Sequence, residues 1–184
     1  VTDTTHPNRM VLAYLGPNGT FTEQALFTQD DLTELDLRIA SSIPEVLSMV
    51  NEGSAGLGFA AIENSIEGSV NVTQDTLTFG ADLLIQREVI ITVELNLMAP
   101  AGTDLGSIQN VISFPHATAQ CRDWLNENLP SAETTAANST AEAARQTANE
   151  DDGRTAAIAP ARAAEVYGLD TIAQGIEDHS SNQT

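Results

Sequence analysis

Val11-Leu-Ala-Tyr-Leu15, followed at once by Gly16-Pro-Asn-Gly19 and Thr20-Phe-Thr-Glu23, decides the fold class of this chain. A short apolar run reads as a buried strand, and the Gly-Pro-Asn-Gly stretch ends it in a tight turn. Thr20 with Glu23 three residues later has the spacing of a capping box, so a helix opens there. Strand, turn and helix in this order form the repeating unit of an α/β protein.

The unit recurs along the chain. Ser42 and Glu45 repeat the capping device around Pro44, and Ile43, Val46, Leu47 and Val50 lie on one helical face that Gly53 closes. Residues 56–62 read as the next strand, and a helix is expected from near Ser69 to Gly80. Residues 83–98 are apolar but interrupted by Gln86, Arg87 and Glu88, which predicts strand, crossing point and strand, with Pro100 as the stop. In the second half 111–114 reads as a strand. A single helix is expected over 116–129, with Cys121, Trp124, Leu125 and Leu129 inward. Ser139 and Glu142 open an alanine-rich helix to about Asn149; 156–159 is a strand, and 161–167 a helix closed by Gly168.

This alternation predicts parallel sheets, in two blocks divided near Arg87 and Glu88. Ligands of such sheets bind outside the carboxyl ends of strands, where helix N-termini carry unpaired N–H groups and partial positive charge. The expected strand-to-helix turns are 16–20, 63–69, 113–116 and 137–140, two in each block. A cleft between two lobes, suited to a small anion, follows.

Composition narrows the function. The 184 residues hold 7 Lys+Arg against 26 Asp+Glu, a formal net charge of −19, and every basic residue is an arginine. So acidic a chain lacks the electrostatic footprint of a nucleic-acid or anionic-membrane binder. Without lysine it offers no Schiff base, pyridoxal phosphate anchor or P-loop lysine. Cys121 is the only cysteine, which excludes an intramolecular disulfide, and His6, His116 and His179 show no metal-ligand spacing. No metal is expected. No run approaches the ~18 apolar residues of a membrane span. The first residues are polar, without the apolar stretch of a signal peptide, so residues 1–9 are expected to be a flexible tail and the protein cytoplasmic.

Three segments carry a more specific signal. Gly16-Pro-Asn-Gly-Thr-Phe-Thr-Glu23, Ile62-Glu-Asn-Ser-Ile-Glu-Gly-Ser-Val70 (with Thr73, Asp75 and Leu77 beyond it) and Ser113-Phe-Pro-His-Ala-Thr-Ala-Gln-Cys121 resemble the motifs of prephenate dehydratases. Ser139-Thr-Ala-Glu-Ala-Ala144, Tyr167-Gly-Leu169 and the approach to a Thr-Arg-Phe motif ending at Thr184 extend the resemblance over almost all of 11–184. Two departures stand out. Phe114 occupies the place where the family commonly has His, with His116 two residues later, and the sequence ends at Thr184 before the family's Arg and Phe. A C-terminal ACT domain, usual in the family, is not in the sequence, and the resemblance implies a catalytic portion cut short of it.

The resemblance implies a cofactor-free conversion of prephenate, a small dicarboxylate, to phenylpyruvate, water and carbon dioxide. It places the family's key polar positions on Asn64, Ser113, Gln120 and Thr184. Residue by residue, other readings remain open. Asn64 also suits an Asx turn, Ser113 a helix start, and Thr184 a plain chain end. Thr20 is a cap with substrate contact as a secondary role, and Ser65, Gly68 and Ser69 either offer backbone N–H groups to an anion or close a turn. His116 reads as an exposed first-turn residue, Cys121 as core and Glu63 as structural.

The expected architecture is a two-lobed α/β protein of the type II periplasmic-binding kind. Residues 10–87 with 175–184 form one lobe and 88–174 the other, the cleft lies between them, and the chain assembles as a homodimer or homotetramer. An arogenate dehydratase and a non-catalytic two-lobed binding module are the rival readings.

Overall fold

Two sheets take up the two halves of the alternation in a computed structural model that describes residues 9–150 and 152–184. The tail expected over 1–9 lies, apart from Arg9, outside the described residues. The first sheet has strand order β2-β1-β3, from β1 (Val11–Leu15), β2 (Asp36–Ala40) and β3 (Leu57–Phe59), all parallel. Helices α1 (Phe21–Leu26) and α2 (Asp30–Thr33) connect β1 to β2, and α3 (Ile43–Asn51) connects β2 to β3. Strand parity separates the two faces: Ala13 packs with Val46 and Ala55, whereas Leu12 and Tyr14 pack with Leu26.

Both caps expected in this half form, with one shared variation. Thr20 Oγ1 accepts the Glu23 amide at 3.2 Å and Ser42 Oγ accepts that of Glu45 at 3.3 Å. Each glutamate, however, reaches one residue further back than a capping box requires. Glu23 takes Gly19 N–H at 2.6 Å and Glu45 takes Ser41 N–H at 2.7 Å.

A small ladder of β4 (Glu63–Asn64) and β5 (Gly68–Ser69) leads into α4 (Asn71–Asp75) and a wide final turn over Thr76–Gly80. Residues 81–95 then run without a named strand, save a bridge between Thr92 and Gln183, so of the strand, crossing point and strand expected over 83–98 the first strand is extended chain and the second forms only at its end, as β6 (Asn96–Ala99). That stretch bonds to the end of the chain instead of a sheet: Ile91 and Thr184 exchange both backbone bonds, at 2.9 and 3.0 Å.

The second sheet has strand order β10-β6-β9-β7-β8, adding β7 (Asn110–Ser113), β8 (Glu133–Ala136), β9 (Thr155–Ala159) and β10 (Asp170–Ala173). It is mixed rather than parallel, because β6 runs antiparallel to both of its neighbours. The long extended approach brings β6 in from the opposite end, with no crossover helix before it. Helices α5 (Pro115–Gln120) and α6 (Arg122–Asn128) cover one face, with Leu97, Val111 and Ile158 packed on Cys121, Leu125 and Leu129. Helices α7 (Thr140–Glu150) and α8 (Ala161–Tyr167) cover the other, where Met98, Ile112 and Ala157 meet Ala143, Ala144 and Ala163. Leu97, Met98, Ile112 and Ile158 are 0–2% exposed, and burying each such side chain contributes about 1.5–3 kcal/mol. Alanines on the second face let α7 and α8 settle close to the sheet.

The single helix expected over 116–129 is broken at Cys121, whose φ of −114° and ψ of 17° interrupt the spiral. The cause lies far away in sequence. Asp178 donates its N–H to the Gln120 carbonyl at 2.6 Å, and its carboxylate caps α6 by accepting Asp123 N–H at 3.1 Å. Burial, then the charges of Asp178 and Glu177, push the Cys121 thiol up to about 12. A thiol reagent should therefore leave the folded protein unlabelled at pH 8, with labelling following unfolding in urea; fast labelling without denaturant would place Cys121 in an open site.

Candidate active site

The C-terminal segment after β10 stitches the two sheets together and opens a cavity of about 450 Å³ between them. Ile176 N–H bonds to Leu95, Val93 N–H to the Asn182 carbonyl at 2.8 Å, and Ser65 N–H to the Gln183 carbonyl at 2.8 Å. The segment thereby touches the approach to β6, the start of α6 and the β4–β5 turn in one pass.

Four groups of side chains line the cavity. Asn64 and Glu67 come from the β4–β5 turn, and Phe114, His116, Ala117 and Gln120 from α5 and its start. Asn138, Ser139 and Thr140 bring the N-terminus of α7, while Asn182 and Thr184 come from the C-terminal segment. Phe21, Val93 and Leu95 complete the wall with apolar surface. The volume lies within the ~300–1,000 Å³ typical of small-molecule sites.

Asn64 makes the turn open to it and also borders the cavity. Its Oδ1 accepts the N–H groups of Ile66 and Glu67 at 2.9 and 3.0 Å, which is an Asx turn, while the residue borders the cavity. Thr184 Oγ1 donates to the Glu63 carbonyl at 3.0 Å, and Gln120 Oε1 lies 3.3 Å from Asn182 Nδ2. Asn64, Gln120 and Thr184 thus converge.

The other five sequence candidates stand outside the lining. Ser113 is wholly buried, and its hydroxyl donates to the Ile158 carbonyl at 2.7 Å, tying β7 to β9. Thr20 caps α1. Ser65 is bonded on three sides: its N–H to Gln183, its hydroxyl to Asn182 Oδ1 at 3.1 Å, and its Oγ accepting Gln183 N–H at 2.9 Å. Gly68 and Ser69 are exposed members of β5 and pair with Asn64 and Glu63.

Three further residues give the cavity its character. Glu67 Oε2 is 2.7 Å from His116 Nδ1, a contact that joins the β4–β5 turn to α5 and needs a hydrogen on Nδ1 in either charge state of the ring. Phe114 stacks on His116 with centroids 5.4 Å apart, so an imidazole reaches the cavity from position 116 even though 114 is Phe. Asn182 is 1% exposed and is the polar centre of the wall. The Ser139–Glu142 spacing marked the α7 corner in advance, whereas nothing local marks Asn182, whose burial arises from contacts with Ser65 and Gln120. No arginine lines the cavity among the described residues. The α7 N-terminus, capped by Ser139 Oγ accepting Glu142 N–H at 3.0 Å, brings partial positive charge to the wall.

Glu142 is held by Arg145 and Gln146, which bring its carboxyl down from 4.5 to about 2. A depressed carboxyl pKa gives stability that is complete above the unfolded value and fades as pH falls through the folded one. Urea midpoints of the native chain should therefore drop between about pH 4.5 and pH 2. Glu142→Gln should flatten that portion of the curve, whereas equal acid sensitivity in both proteins would remove Glu142 as a contributor.

A two-lobed α/β chain with a largely apolar cavity, bordered by a few neutral hydrogen-bonding side chains and one helix N-terminus, has the form of a small-molecule-binding protein. Its sequence matches the prephenate dehydratase family over residues 12–184, and the chain belongs to that family. A bifunctional chorismate mutase/prephenate dehydratase of Neisseria gonorrhoeae is 42% identical over 175 residues, covering 95% of this chain and 48% of that protein. The prephenate dehydratase of Mycolicibacterium gilvum is 40% identical over 184 residues, 94% of this chain and 59% of its own length. The solved prephenate dehydratase of Arthrobacter aurescens, in complex with L-Phe, superposes with a TM-score of 0.86 at 33% identity, over 95% of this chain and 58% of that one. The chain thus spans roughly half the length of these relatives, between 48% and 59%.

Proposed function

We propose that this chain carries a prephenate dehydratase active site in the cavity between its sheets. The reading rests on one observation above others: three neutral hydrogen-bonding side chains, Asn64, Gln120 and Thr184, from segments far apart in sequence, border one cavity in a member of that family.

In the reaction, the bond from the ring to its carboxylate breaks and its electron pair becomes a new ring π bond. The carbon–oxygen bond to the ring hydroxyl breaks in turn, carbon dioxide leaves, and a proton from solvent completes the departing water. Aromaticity supplies the driving force, so the protein's work is to orient a dianion and stabilise the leaving oxygen. First-turn N–H groups of α7, Asn64 Nδ2 and the Gln120 amide hold carboxylate oxygens, with the His116 ring beside them. Thr184 turns its hydrogen from the Glu63 carbonyl to the departing oxygen. A threonine hydroxyl is a poor acid in water, and the role depends on the apolar wall of Phe21, Val93 and Leu95 to exclude solvent. The chemistry calls for no metal or cofactor.

The experiment is phenylpyruvate formation from prephenate at neutral to mildly alkaline pH, where acid breakdown is slow. Turnover by this chain, or by the same chain carried on past Thr184, supports the reading. A folded sample of both that binds phenylpyruvate yet forms no product favours the binding-module reading. Arogenate is a second substrate to run alongside, because Glu67 offers a carboxylate that an ammonium group could share with His116. A higher kcat/KM on arogenate, lowered selectively by Glu67→Gln, would reassign the substrate.

The division into lobes of 10–87 with 175–184 and 88–174, a homodimeric or homotetrameric state and a cytoplasmic location belong to the same proposal. No helix of the described residues is long and apolar enough to cross a membrane. Light scattering of the purified chain reads the assembly.

A further inference from the structure

We propose that Asn182 is a positioning residue that fixes which end of the Gln120 amide faces the cavity; the inference rests on the reading of that cavity as the anion-binding active site. Ser65 Oγ accepts Gln183 N–H at 2.9 Å, and its own hydrogen goes to Asn182 Oδ1 at 3.1 Å. With the oxygen so used, the Asn182 amide can offer Gln120 only its Nδ2, 3.3 Å from Gln120 Oε1. Gln120 Oε1 is then an acceptor inside the wall, and Gln120 Nε2 turns toward the cavity as a donor.

The relay is rigid at its centre. Asn182 is 1% exposed, its backbone carbonyl accepts Val93 N–H at 2.8 Å, and its side-chain amide is held between Ser65 and Gln120. Gln120 is only partly buried and, without this neighbour, its amide could present either end. For an anion the two ends differ in sign: the amide nitrogen donates to a carboxylate, whereas the amide oxygen repels it. Asn182 acts through Gln120, and the ligand class it selects is a carboxylate.

Asn182→Asp tests the polarity with little change of shape. The carboxylate still accepts the Ser65 hydroxyl but cannot donate to Gln120, whose amide then turns over and shows its oxygen to the cavity. Calorimetric affinity for phenylpyruvate should fall about 10- to 100-fold, the loss of one hydrogen bond to a charged group. On prephenate, KM should rise by a similar factor with a much smaller change in kcat. In a Gln120→Met background the same substitution should cost at least about threefold less than in the native one: direct repulsion by the new carboxylate, which borders the cavity, persists there, and only the part that travels through Gln120 is lost. Equal losses in both backgrounds overturn the proposal.

If Asn182→Asp does not fold, hydrogen exchange of side-chain amides in the unaltered chain decides. Both Gln120 Nε2 hydrogens should exchange as an exposed amide does, and slow exchange of one of them means the opposite orientation and sinks the idea. The exchange measurement needs no turnover. Should the unaltered chain neither bind phenylpyruvate nor consume prephenate, the dehydratase reading fails, while the orientation of the Gln120 amide is still decided.

Discussion

Glu23→Ala is expected to lower the melting temperature by roughly 5–15 °C, from a loss of about 2–4 kcal/mol at a few degrees per kcal/mol. Glu23 is 3% exposed, and its carboxylate accepts Gly19 N–H at 2.6 Å and the Tyr14 hydroxyl at 3.1 Å. It also lies 3.3 Å from Arg162 Nε on α8, so one side chain closes the first turn and joins the two sheets' helices. Arg162 itself lies over the Phe27 ring at 4.0 Å and reaches Glu165 at 2.9 Å. Truncation would strand a buried amide and one face of a guanidinium and leave the Tyr14 hydroxyl with Asn18 Oδ1, at 3.1 Å, in place of a carboxylate. The phenol shows how dry the place is: burial first, then Glu23, raise Tyr14 to about 12.

Glu23→Gln should cost much less. Its oxygen can still accept Gly19 N–H, and its amide nitrogen can donate to the Tyr14 oxygen, leaving only the contact with Arg162 weakened. Thermal melts of both variants check the claim, and equal losses would show that shape rather than hydrogen bonding sets the cost. Gly19 belongs to the same joint. At φ +83° it suits glycine, and a Cβ there would come within 3.0 Å of the Tyr167 ring and 3.1 Å of the Ala163 Cα.

What the sequence made legible follows from where each determinant sits. Caps at Thr20, Ser42 and Ser139 are local devices, and all three form as spaced. The alternation of apolar runs with helical faces was enough to give the α/β class and two sheets. Strands β2 and β8 escaped because they are sheet edges, with Asp36 and Arg38 on one and every residue of the other exposed, so neither shows an apolar run. The antiparallel course of β6 and the break at Cys121 depend on residues 91–95 and 176–178 finding each other, a tertiary fact with no local trace.

The site divides along the same line. Asn64, Gln120 and Thr184 could be named from motif resemblance, and they meet at one cavity. Ser113 carried a warning in its parity: it shares a strand face with Val111, which is buried against α5 and α6, and its hydroxyl ends on the Ile158 carbonyl. Asn182 carried no warning at all, since a polar residue near a chain end reads as exposed until Ser65, Gln120 and Val93 enclose it.

Asn64→Asp should reduce kcat/KM on prephenate by about 100- to 1,000-fold while leaving the melting temperature within a few degrees of the original. The choice of aspartate follows from the Asx turn. Asn64 Oδ1 holds the N–H groups of Ile66 and Glu67, and a carboxylate oxygen holds them equally well. The substitution therefore keeps the β4–β5 turn, and with it the Glu67 carboxylate beside His116. What it removes is the Nδ2 donor, and what it adds is negative charge facing a dianion. Asn64→Ala is the less informative variant, because it loses the turn as well and confuses misplacement of Glu67 with loss of the donor. If the aspartate variant folds and turns prephenate over at near-normal rates, Asn64 serves the turn alone, and substrate recognition must fall to the α7 N-terminus and Gln120. If it folds and activity collapses while the alanine variant retains more, then repulsion of the dianion, beyond loss of one hydrogen bond, sets the size of the effect, as expected for a cavity whose lining among the described residues offers no arginine to offset a new carboxylate.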